Sequence, residues 1–62
     1  MKYTIKLYFP MGPAYPTIGG GFDADINQRT RFWDSRDIAI KFAEEMCGKY
    51  DYDIVEVSEW LF

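Results

Sequence analysis

Residues 2 to 9 alternate without a slip: Tyr3, Ile5, Leu7 and Phe9 fall on one side, Lys2, Thr4, Lys6 and Tyr8 on the other. A period of two is the mark of a strand with one face buried. The alternation then stops. Pro10, Pro13 and Pro16, with Gly12 and the run Gly19 to Gly21, interrupt the next stretch, so residues 10 to 27 read as a loop. Met11, Tyr15, Ile18 and Phe22 make it an unusually apolar one, which either folds back over the domain or faces a partner. A second strand is predicted over residues 28 to 33, with an earlier start near Phe22 left open, and with Thr30 and Phe32 facing one way and Arg31 and Trp33 the other.

Asp34 or Ser35 then offers a side-chain oxygen to the first free amides of a helix, and Asp37 puts negative charge in its first turn. Ile38, Ala39, Phe42, Ala43 and Met46 recur at spacings of three and four within an arc of about 140°, enough to seal one face of a sheet before Gly48 ends the helix. Ile40 falls off this stripe and needs the apolar loop or a partner to cover it. Residues 52 to 60 read as a last strand, with Val55 and Val57 on one face and Tyr52, Ile54 and Trp60 on the other.

The order strand, strand, helix, strand predicts an α+β fold of ββαβ type, a single domain over 1–62. Antiparallel pairing and a right-handed return give a three-stranded antiparallel sheet in the order 2-1-3, with one helix packed on one face. One helix covers one face only. Tyr8, Trp33, Tyr52, Ile54 and Trp60, interleaved with Lys6, Arg31 and Glu56, are then expected on the uncovered face, unless the loop roofs it.

Composition narrows the chemistry. The chain carries one cysteine, no histidine and a net charge of −3. Its charges are split: residues 1 to 36 hold five basic and three acidic side chains, residues 37 to 62 two basic and seven acidic. Without histidine, acyl, phosphoryl and metal-assisted chemistries lack their usual base or ligand, so no enzyme and no cofactor is expected. Cys47 falls in the last helical turn, where the negative end of the dipole disfavours a thiolate. Asp23, Asp25 and Asn27 are spaced like the start of a calcium loop with Asp34 twelfth, but Gln28 stands where that loop requires glycine. Acidity disfavours direct binding of phosphate backbones and favours basic partners. The alternating start is not a signal peptide or membrane span, and the lone cysteine fits a reducing compartment, so a cytoplasmic location is expected.

Two constellations stand out. Glu44, Glu45, Asp51, Asp53, Glu56 and Glu59 come from the helix end, the turn after it and the last strand; carboxylates spaced along a surface imitate the phosphates of a nucleic acid to a protein built to bind them. Trp33, Tyr52 and Trp60 are the candidate apolar anchors beside them, Trp and Tyr being enriched at interface hot spots. From Phe32 to Trp60, the strand, the Asp-Ser helix start, the Ala39/Phe42-Ala43-Glu44 helix face and the Tyr52-to-Glu59 strand resemble the small strand-strand-helix-strand inhibitors that bacteriophages use against host machinery, of the anti-CRISPR and RNA polymerase inhibitor types. That resemblance implies a single-domain inhibitor acting by occlusion. The sequence reading is therefore a protein-binding inhibitor that covers the basic surface of a host nucleic-acid-handling protein. Two alternatives stand beside it: single-stranded nucleic-acid binding through an aromatic sheet face, and a homodimeric adaptor closed through that same face.

Overall fold

The computed structural model describes residues 1 to 57, with every side chain among them except those of Met46 and Cys47. Its elements run β1 (Lys2–Phe9), β2 (Gly12–Pro16), β3 (Phe22–Asp23), α1 (Arg36–Cys47) and β4 (Tyr52–Val57). The fold is α+β, one helix on an antiparallel sheet. The sheet has four strands in the order β3-β2-β1-β4, which corrects the expected three.

The added strands come from the segment that reads as a loop. β2 pairs with β1 as a hairpin through Phe9↔Gly12, Tyr8↔Pro13 and Leu7↔Ala14. Pro10 holds its φ negative and so excludes the mirror-image turns usual in two-residue hairpins; Gly12, at φ +129, makes the reversal instead. Pro13 breaks no ladder bond, because Tyr8 opposite it donates its N–H to the carbonyl of Asp51 on the other edge at 2.9 Å. The prolines thus sit where no backbone donor is required. Within residues 10 to 27, Gly12–Pro16 and Phe22–Asp23 extend the sheet sideways.

Residues 28 to 33 join the sheet through two isolated bridges, Thr17↔Thr30 and Tyr3↔Trp33. β2 has left β1 by this point, and the segment fills the gap. The Thr4 hydroxyl, fully buried, donates to the carbonyl of Arg31 at 2.9 Å, and the amide of Arg31 donates to the carbonyl of Pro16 at 2.9 Å.

α1 packs on the odd-numbered side of β1. Ile5, Leu7, Trp33, Ala39 and Ala43 form the buried core, with Tyr3, Phe9, Phe42, Tyr52 and Ile54 against it. Alanines at 39 and 43 let the helix backbone approach the sheet closely. The buried stripe is rotated from the expected one: Ile38 is 54% exposed whereas Ile40 is half-buried. Asp34 is drawn away from the helix start by Lys2, whose Nζ lies 3.2 Å from Oδ1. Ser35 holds the N-cap position but its hydroxyl makes no capping bond.

The register of β4 settles its faces. Ile5↔Ile54 and Leu7↔Tyr52 put Ile54 and Tyr52 on the helix side, and Tyr3↔Trp33 does the same for Trp33. The expectation that these three lie on the uncovered face is corrected. Trp33, 8% exposed, lies 5.2 Å from the Phe42 ring, and the Arg31 guanidinium stands 4.5 Å from that ring. Both faces of β4 carry apolar side chains, so pattern alone left its parity open.

Candidate functional site

The turn between α1 and β4 sets one pole of the molecule. α1 has 12 residues and reaches about 18 Å, whereas the 8 residues of β1 extend about 26 Å, so the helix cannot cover the whole strand. At the uncovered end the gap is taken by rings. Phe9 meets Phe22 edge-on at 5.3 Å and Tyr50 at 4.9 Å, and both outer rings are exposed by about two-fifths. Met11, at the tip of the β1–β2 hairpin, is fully exposed beside them in the chain.

Exposed carboxylates belong to the chain segments on either side of Tyr50. Glu44 and Glu45 lie exposed in the last turn of α1, and Asp51 and Asp53 are exposed where β4 begins. The last helical turn carries no basic residue, so the negative end of the helix dipole adds to the same field. The nearby cations in sequence and register are Lys41, one helical turn before Glu44 and Glu45, Lys49 and, on the sheet's other face, Lys6.

The opposite pole is balanced. Lys2 pairs with Asp34, Arg31 lies over the rings of Trp33 and Phe42, and Arg36 opens α1 near Asp37. The charge split of the sequence therefore becomes a spatial one, although Glu56 stands apart from the set. It is exposed, opposite Tyr3 near the far end of β4.

On the sheet face away from α1, Tyr8 is exposed and its hydroxyl donates to Oδ2 of Asp53 at 2.5 Å. That bond raises the phenol's pKa above 10.0, with desolvation and the charge of Asp53 acting the same way. Lys6 lies directly opposite Asp53, with Nζ 5.6 Å from the Tyr8 ring centroid.

Of the sequence-predicted site, Glu44, Glu45, Asp51 and Asp53 are brought to one end. Trp33 and Tyr52 belong to the core side of the sheet, Trp33 too deep to anchor a partner. Glu59 and Trp60 lie outside the described residues. Tyr50 is not among the sequence-predicted candidates, and Phe22 is named there only within the apolar segment that either folds back over the domain or faces a partner; it lies in β3, paired with Pro16. The Asp23-to-Asn27 stretch is wired to itself: Asn27 Nδ2 donates to Asp23 Oδ2 and to the carbonyl of Asp25, each at 3.1 Å. Among the described residues no three His, Cys, Asp or Glu side chains are grouped to hold a metal ion, and no helix is long and apolar enough to cross a membrane.

In comparisons with known proteins, no family model matches the chain, and neither a curated protein nor a solved structure matches it.

Proposed function

We propose that this chain works by binding: its acidic, ring-bearing pole covers a basic surface of a nucleic-acid-handling protein, the mode of action of the small phage-encoded inhibitors it resembles. The observation that carries the reading is this end of the molecule, where exposed Glu44 and Glu45 close a helix with no basic residue in its last turn, exposed Asp51 follows Tyr50 directly, and the half-exposed rings of Phe22 and Tyr50 meet Phe9. Apolar anchors surrounded by charge are the usual anatomy of a protein interface. Carboxylates around them would steer association with a basic cleft.

Direct nucleic-acid binding has weaker support. The face it would use carries Tyr8 and Tyr15 with Lys6 and Asp53, and Tyr8 is already bonded to that carboxylate.

The test is retention of proteins from a bacterial lysate on the immobilised chain at low salt, beside the variant Glu44→Lys, Glu45→Lys, Asp51→Lys. A retained protein whose nucleic-acid binding is blocked by the native chain, and which the folded variant does not hold, supports the reading. Equal retention by both chains would refute it.

A further inference from the structure

Among the described residues no strand is paired with the outer edge of β4, and the ladder phase shows which backbone groups face out. Tyr8 donates to the carbonyl of Asp51, so the pair at 8 and 51 is a hydrogen-bonded one. Following the register, the pairs at Lys6↔Asp53, Thr4↔Val55 and Lys2↔Val57 are of the same type, and Leu7↔Tyr52, Ile5↔Ile54 and Tyr3↔Glu56 are not. The other side of β1 agrees, since Tyr3 exchanges both of its backbone bonds with Trp33. Tyr52, Ile54 and Glu56 therefore turn their N–H and C=O groups away from β1.

Natural sheets shorten, cover or charge such edges. At the other end of this sheet β3 has two residues, whereas β4 offers six. Its charges are all of one sign: Asp53 and Glu56, with Asp51 just before, and no basic residue within the strand.

We propose that the β4 edge accepts an extended segment of the partner carrying lysine or arginine, added as a fifth strand of the sheet. This deepens the reading of the acidic pole and rests on it, since Asp51 and Asp53 belong to both surfaces. A second copy of the chain is the poorer occupant. Antiparallel self-pairing of β4 would crowd Asp53 and Glu56 of both copies along a seam to which the strand brings no cation, and would set Asp53 against Asp53 or Glu56 against Glu56 in the registers centred on those residues, where like charges are destabilising. A basic strand removes that repulsion and satisfies the same backbone groups.

The experiment measures amide exchange by NMR on the full chain at low ionic strength, with an octapeptide of alternating lysine and valine as probe and its glutamate counterpart as control. The lysine peptide should slow exchange at Tyr52, Ile54 and Glu56 by about tenfold or more while changing Asp53 and Val55, already bonded to β1, far less. Glu56→Pro should abolish this binding, whereas Glu56→Gln, which keeps the outward N–H, should retain it; if the proline variant does not fold, the exchange pattern of the native chain still decides. Binding that perturbs Glu44, Glu45 and Asp51 but leaves the three outward amides unprotected overturns strand addition and spares the acidic pole. Protection that grows with protein concentration and needs no peptide overturns it in favour of self-pairing. Absence of any perturbation sinks both readings.

Discussion

The hydroxyl of Tyr8 and the carboxylate of Asp53 meet at 2.5 Å across the β1–β4 ladder, on the sheet face opposite α1. The bond favours the protonated phenol, so Tyr8 titrates above 10.0 in the folded chain. A folded-state value above the unfolded one means that the contact's contribution is complete below pH 10 and is lost as pH rises through the folded value. Absorbance titration near 295 nm should show Tyr8 ionising later than a phenol of the unfolded chain. Asp53→Asn should return it towards its ordinary value. An unchanged titration curve in that variant would rule out the Asp53 carboxylate as the cause of the shift.

Ile5 is fully buried between Ile54 and the helix alanines. Ile5→Ala should cost about 2–5 kcal/mol and Ile5→Val about 0.5–1.5 kcal/mol, read by denaturant unfolding. A domain of this size has about 3–9 kcal/mol in total, so the alanine variant should be largely unfolded at modest denaturant. A loss under about 1 kcal/mol for alanine would mean that Ile5 is not the centre of the β1–α1 core.

That core was legible because its two carriers follow strong periods. β1 alternates from Lys2 to Phe9 without exception, and the helix stripe through Ala39, Phe42 and Ala43 holds although its edge was misjudged at Ile38. What could not be read depends on pairings between distant residues. Pro13 looks like a strand breaker until Tyr8 is seen to bond to Asp51 instead, and nothing local records that exchange. The parity of β4 depends on Ile5 meeting Ile54, since Tyr52, Ile54, Val55 and Val57 offer apolar bulk to both sides. Trp33 followed the same logic: its bridge to Tyr3 carries it into the core. The acidic stretch, by contrast, is legible because Glu44, Glu45, Asp51 and Asp53 are close in sequence around one turn, although Asp53 projects to the sheet face opposite α1. The ring cluster is not, since Phe22 reaches Phe9 only through β2 and β3.

Thr4 ties the irregular segment to β1 by donating to Arg31. Thr4→Val keeps the shape but removes the part-buried bond to the Arg31 carbonyl, a loss of about 0.5–1.5 kcal/mol. Thr4→Ser restores the hydroxyl and should recover most of it, apart from the missing methyl. Equal stabilities for the valine and native chains would show that water satisfies the carbonyl.

Gly20 adopts φ +95 in the turn after Thr17, where its amide donates to the Thr17 carbonyl at 3.1 Å; Gly19, its neighbour, has no such constraint. Gly20→Ala should therefore destabilise by about 1 kcal/mol or more, while Gly19→Ala should be neutral or slightly stabilising through the unfolded chain. Thermal unfolding of the two variants side by side reads the difference. A Gly20→Ala chain as stable as the Gly19→Ala one would contradict the turn geometry.

Glu44 and Glu45 stand at the helix end where negative charge is least welcome, and no lysine or arginine offsets them in the last turn. Reversal to lysine gains about 0.3–1 kcal/mol at each position from the helix dipole at low salt, offset in part by about 0.2–0.5 kcal/mol of repulsion from Lys41 one turn back, so the net rise in stability is small. In a domain of this size that is a rise in Tm of about 4–8 °C per kcal/mol. The same variant should lose its hold on a basic partner, with the native chain's association slowing steeply as salt is added. Opposite movement of stability and binding is what a surface kept acidic for recognition produces. Charges kept only for solubility predict the gain in Tm without the loss of binding, and that result would separate the carboxylates from the function proposed for them.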